Sequence, residues 1–109
     1  DHGGTPALGF RIAADEAPAP ALVYLPDVLA IPEATWPAIM DAEIFICDAL
    51  SRVPHPSHAH LDLTLGWIER SRARRAVITN MHIDLDYEAV MAETPDHVVP
   101  AHDGLVLTL

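Results

Sequence analysis

Two short apolar runs constrain the architecture of this chain more than any other feature. Ile44-Phe45-Ile46-Cys47 lies within Glu43 to Asp48, and Ala76-Val77-Ile78 leads into Thr79. Neither run alternates apolar and polar side chains, as a strand with one wet face would. Unbroken runs of this length suit strands buried on both faces, as in layered α/β sheets. Between them Leu61, Leu65 and Ile68 recur at helical spacing, flanked by Leu63 and Trp67. This spacing predicts a helix from about Leu61 to Arg72 despite Gly66, and hence a strand-helix-strand unit.

The rest of the chain extends that unit. Leu8 to Ile12 and Leu22 to Leu25 are β-like runs separated by the turn-prone stretch Ala14 to Pro20, which predicts a hairpin. Pro32 suits the first turn of a helix, and Pro37 interrupts it, so short turns are expected there rather than a long rod. Asp86 can cap a helix through Met91 that Pro95 helps to end. Leu105 to Leu109 reads as a last strand entered through the Asp103-Gly104 turn. The order β-β, short helix, β-α-β-α-β is half of a layered α/β architecture, with neither an internal repeat nor a domain boundary in the sequence.

Charge narrows the function classes. The formal net charge is −10, from 16 acidic against 6 basic side chains, and all the basic ones are arginine. Phosphate backbones and anionic membrane surfaces normally require clustered Lys and Arg, so nucleic acid and membrane are disfavoured as partners. The basic cluster Arg70, Arg72, Arg74 and Arg75 reads as a solvated helix end, where cations complement the helix dipole. The lone Cys47 excludes an internal disulfide and sits in an apolar run, as a buried structural thiol does. No apolar stretch approaches a membrane span and no signal-peptide pattern opens the chain, so a cytoplasmic setting is expected. The chain opens Asp1-His2-Gly3-Gly4 without an initiator methionine, which suggests a piece of something longer.

Histidine carries the chemical signal. There are 7 in 109 residues, and most fall at strand ends or in loops. His2 precedes the first strand, His55, His58 and His60 precede the main helix, His82 follows the strand ending at Thr79, and His102 precedes the last expected strand. His97 reads as a surface residue. Asp27 and Asp48 also end strands, where ligands gather in open α/β sheets. Imidazole and carboxylate together suit zinc or manganese.

Several segments carry a family resemblance: His2-Gly3, Gly9-Phe10-Arg11-Ile12, Tyr24-Leu25-Pro26-Asp27-Val28, Cys47-Asp48-Ala49-Leu50, His55-Pro56-Ser57-His58, Ile78 to Tyr87, and Pro100-Ala101-His102-Asp103-Gly104. Together they resemble the second half of metallo-β-lactamase-fold hydrolases, most closely the branch of phosphoribosyl cyclic phosphate phosphodiesterases, and tRNase Z enzymes more distantly. The resemblance implies an α/β fold in which residues 1–109 form the C-terminal half of a four-layer αββα sandwich. It implies two divalent metal ions, zinc or manganese, with His2 and His82 as ligands and Asp27 as the carboxylate bridging both. His58 matches a histidine near the substrate phosphate, a proton donor or phosphate contact. Asp48 and Asp84 are candidates for orienting a ligating histidine through its other N–H. His102 falls outside these roles.

Two departures qualify the match. Related sequences often carry Thr-His where this chain has Thr79-Asn80, so the last ligand is expected to have moved to His82, since Asn80 is a poor transition-metal donor. The upstream H-x-H-x-D-H ligand segment is absent. His58-Ala59-His60-Leu61-Asp62 imitates it, but Leu63 follows and no strand precedes. His60 to Asp62 is better read as a helix start, with Asp62 favoured in the first turn.

The activity implied is two-metal hydrolysis of a small phosphorylated substrate, such as a cyclic phosphate of ribose or a nucleotide. An RNA-processing nuclease of the same fold is one alternative, opposed by the net charge of −10 and the lack of lysine. A non-catalytic fragment or binding module is the other. The isolated segment is expected to need its N-terminal half, or a second copy in a homo-oligomer, to cover an exposed face.

Overall fold

The run Ile44–Asp48 becomes strand β3, the centre of a five-stranded sheet ordered β1-β2-β3-β4-β5. In this computed structural model, which describes residues 7–82 and 85–109, the other elements are β1 (Phe10–Ile12), β2 (Leu22–Leu25), α1 (Trp36–Ile39), α2 (Leu61–Ser71), β4 (Arg75–Thr79), α3 (Tyr87–Glu93) and β5 (Val98–Pro100). The expected hairpin forms, with β1 antiparallel to β2, and the three remaining strand pairs are parallel. No helix among the described residues is long and apolar enough to cross a membrane.

Register decides which side chains share a face. Val23, Phe45, Ala76 and Val98 stand side by side across the parallel strands, as do Leu25, Cys47, Ile78 and Pro100 one layer further on. Strands that follow one another in both sequence and space, joined by right-handed crossovers, put all connecting helices on one side of the sheet. The hydrophobic core bears this out: Val23, Leu25, Phe45, Cys47, Ala76, Ile78 and Val98 pack with Trp36 and Ile39 of α1, Leu61 and Ile68 of α2, and Val90 of α3. Phe45 is fully buried at its centre. Truncating such a ring costs about 3–5 kcal/mol, much of the stability of a small domain.

The opposite face carries Phe10, Ile12 and Tyr24, which are 56%, 54% and 36% exposed, with the Phe10 and Tyr24 rings stacked at 6.2 Å. Among the described residues helices cover only one side of the sheet, which gives two of the layers of an αββα sandwich, one of helices and one of strands.

Local signals account for the helices. A 3-10 turn at Glu33–Thr35 runs into α1 with Pro37 in its first turn, so the proline starts a short helix instead of breaking a long one. α2 begins after His60, which has extended backbone, and carries Asp62 in its first turn. The H-x-H-x-D look-alike is thus a helix start. Arg72 ends α2 in the left-handed conformation. The buried stripe of α2 includes Thr64, a polar residue there because its hydroxyl donates to the Asp48 carbonyl at 2.5 Å. Asp86 caps α3, its carboxylate accepting from the Ala89 amide at 3.1 Å. The arginines at the end of α2 meet local acids: Arg70 pairs with Glu33 and lies 4.1 Å over the Trp36 ring, and Arg72 pairs with Asp41.

One expected element is corrected. The last strand is Val98–Pro100, not Leu105 to Leu109. Val98 and Pro100 bury on the core side, and Pro100, which has no N–H to donate, is tolerated because β5 is an edge strand. The later segment leaves the ladder with Val106 83% and Leu109 60% exposed, while the Thr108 carbonyl accepts from Arg75 at 2.6 Å.

Candidate active site at the strand ends

Three parallel strands deliver three polar groups to one edge of the sheet. Asp27 comes two residues after β2, Asp48 closes β3, and Asn80 follows β4 directly. Tyr24, Pro26, Asp27, His58, Thr79 and Asn80 line an open cleft there, at the carboxyl ends of the strands.

His58 arrives from the loop between β3 and α2. The backbone around it is stitched down: the Ala59 amide donates to Val28 O at 2.8 Å, Leu50 N to Ala59 O at 2.9 Å, and Leu61 N to Ser51 O at 2.9 Å. Ala59 is fully buried, which anchors the loop beside β2. The imidazole of His58 is consequently held over the strand ends, its side chain 19% exposed.

Its Nδ1 faces two carboxylates, 2.9 Å from Asp27 Oδ1 and 3.1 Å from Asp48 Oδ2. These carboxylates differ in setting. Asp48 has no exposed surface, and both its oxygens are engaged: Oδ2 with the Val28 amide at 3.3 Å and with His58, Oδ1 with Asn80 Nδ2 at 3.2 Å. Burial pushes the Asp48 carboxyl above the ordinary range, and the bonds from His58, Asn80 and Val28 pull partly against it. Asp27 opens to the cleft with half its side chain exposed, although Oδ1 itself is shut off from solvent beside His58.

Ligand atoms of Asp27, Asp48 and His58 all lie within 4.8 Å of one another, a group able to hold a metal ion. Carboxylate oxygen and imidazole nitrogen suit a divalent cation. The two carboxylates are not equivalent toward one. Asp27 can offer oxygen to an ion entering from the cleft, whereas Asp48 would have to surrender bonds it makes in a buried place.

The remaining residues singled out in the sequence lie apart from this group or outside the described residues. His2 and Asp84 lie outside them. His82 is exposed, and its backbone ties the segment after β4 to the β3 loop, with its N–H donating to Leu50 O at 2.6 Å. Its side chain is not in the Asp27-Asp48-His58 group. His102 packs edge-on against Tyr87 at 5.9 Å, and His97 is exposed. Asn80, discounted in the sequence as a metal donor, joins the site through its bond to Asp48. Its φ of 59° is left-handed, a conformation that Asn tolerates better than most residues, and Thr79-Asn80 at a strand end was the available signal.

Among solved structures, the chain superposes with a TM-score of 0.90 and 31% identity on a protein described as a new diphosphatase from the PhnP family. The match covers 99% of this chain and 40% of that one, so the chain spans about two fifths of its neighbour's length. No family model matches the chain, and no curated protein does. The likeness bears out both the resemblance to metallo-β-lactamase-fold phosphodiesterases and the reading of this chain as part of that fold.

Proposed function

We propose that the chain is the C-terminal half of a metal-dependent phosphodiesterase whose substrate is a small phosphorylated molecule, such as a cyclic phosphate of ribose or a nucleotide. The observation that carries this reading is the juxtaposition of half-exposed Asp27 and partly exposed His58 in one open cleft, with buried Asp48 against His58 from beneath. The neighbour described as a diphosphatase supports phosphoryl chemistry for such a site.

Asp27 would hold metal from the cleft side, and by resemblance two divalent ions, zinc or manganese, would be held with His2 and His82 as further ligands. Bound metals would lower the pKa of a water and neutralise charge on phosphoryl oxygens, which lets a chain of net charge −10 accept an anion. His58 is the proton donor to the leaving oxygen. With its Nδ1–H taken by the carboxylates, the ring acts as the imidazolium: Nε2 gives its proton to the leaving oxygen and the ring is left as the neutral Nδ1–H tautomer. Asp48 holds the ring in place.

The exposed apolar face around Phe10, Ile12 and Tyr24 belongs, in this proposal, against the N-terminal half of the same domain, or against a second copy where that half is absent. A cytoplasmic setting completes the proposal.

The test is metal content by elemental analysis on the longer parent protein and its Asp27→Ala variant, followed by assay on cyclic phosphates. The expected result is about two equivalents of zinc or manganese, falling sharply in the variant. No bound metal in the parent under non-chelating conditions would remove the hydrolase reading.

A further inference from the structure

Asp48 is fully buried, so its carboxylate depends on protein donors for every lone pair it satisfies. Three groups bond to it from three directions. The Val28 amide and His58 Nδ1 address Oδ2, at 3.3 and 3.1 Å, while the Asn80 side chain addresses Oδ1 at 3.2 Å. With bonds on both oxygens, rotation about Cβ–Cγ would break at least one, so the plane of the carboxylate is set. Only an amide nitrogen can satisfy an ionised carboxylate from this position, which fixes the orientation of the Asn80 amide.

The backbone of Asn80 is part of the arrangement. At φ 59° the residue turns sharply out of β4, and the short side chain is brought back against the end of β3. Asn and Gly are the residues that adopt this conformation readily, and of the two only Asn brings a donor.

We propose that Asn80 is a positioning residue of this site. Its amide holds the Asp48 carboxylate so that Oδ2, alongside Asp27 Oδ1 on the same nitrogen, keeps the neutral His58 imidazole in the tautomer protonated at Nδ1, which turns Nε2 to the substrate side. Asn80 thereby acts through Asp48 and His58 and is not a metal ligand. The tautomer statement stands independently of the proposed phosphodiesterase activity, and only the role of Nε2 rests on it.

The design of the test follows from φ. Asn80→Gly keeps the left-handed backbone without strain and removes the amide, whereas Asn80→Asp keeps the shape and replaces the donor with an acceptor. In the longer parent protein, long-range proton–nitrogen NMR correlations report the His58 tautomer, and elemental analysis reports metal content. The wild type is expected to show Nδ1–H at His58, and both variants a mixture of tautomers with metal content unchanged. Where cyclic phosphate turnover is measurable, kcat should fall about ten- to a hundredfold in both variants while KM changes little. His58 remaining in the Nδ1–H tautomer in both variants would overturn the proposal, as would loss of metal from Asn80→Gly. A parent that turns over no phosphodiester would sink the proposed function but leave the tautomer comparison decisive.

Discussion

The Nδ1 of His58 lies 3.1 Å from Oδ2 of Asp48, a carboxylate with no exposed surface, at the edge of a cleft open to solvent. A second carboxylate, Asp27, stands 2.9 Å from the same nitrogen but is half exposed. One imidazole nitrogen is thus shared between a buried partner that can orient it and an accessible one suited to metal.

Removing His58 should cost catalysis in proportion to the leaving group's need for a proton. In the parent protein, His58→Gln is expected to lower kcat by about 10²–10⁴-fold on an alkyl phosphodiester. With p-nitrophenol as leaving group the loss should shrink to roughly tenfold or less, because that oxygen departs without protonation. Equal losses on both substrates would remove the proton-donor role.

Asp48 should make the metal-free protein less stable as pH rises. Burial raises its folded pKa above the ordinary 3.8, so over the interval between the two values the folded state binds more protons than the unfolded one. Its stabilising contribution is fully present below the unfolded pKa and is lost as pH climbs through the raised folded value. Denaturant unfolding in EDTA across that range should show a downward slope in wild type that Asp48→Asn lacks. Parallel stability curves for the two proteins would contradict the assignment.

Cys47 should be chemically silent until the domain opens. It has no exposed surface, and burial, reinforced by the neighbouring Asp48, pushes its thiol well above the ordinary cysteine range. Labelling by a thiol reagent at pH 8 should track global unfolding and accelerate with denaturant. Rapid stoichiometric labelling of the native protein would show that β3 is accessible.

Arg72 should be improvable. It closes α2 at φ 57°, where a side chain costs about 1–2 kcal/mol relative to glycine, while its ion pair with Asp41 is 66% and 51% exposed and contributes roughly 0–1 kcal/mol. Arg72→Gly is expected to stabilise the protein by about 0.5–1 kcal/mol in equilibrium unfolding. A loss of that size would mean that the ion pair outweighs the backbone strain.

Much of the fold follows from interactions a few residues long, which is why it can be read from the chain alone. Unbroken apolar runs became β3 and β4, and Asp86 accepts the amide that an N-cap should accept. His60 to Asp62 starts a helix, with Asp62 in the first turn where the dipole favours an acid. Each depends on side-chain chemistry and period within one or two turns. The same locality explains the misplaced last strand. Val98 and Pro100 look unremarkable in sequence, and only pairing with β4 makes them a strand, while the more apolar segment from Leu105 finds no ladder to join.

For the site, the sequence alone could nominate residue types. Aspartates at strand ends and histidines in the loops were visible there, and the family resemblance attached roles to several. Which of them meet was settled by tertiary structure. Asp48 reaches His58 through a loop pinned by Ala59, and reaches Asn80, 32 residues away, through the parallel register of β3 and β4. Those distances depend on strand register, loop docking and one left-handed residue acting together. None of the three is encoded within a short window of sequence, because each is fixed by burial against parts of the chain that are remote until it folds.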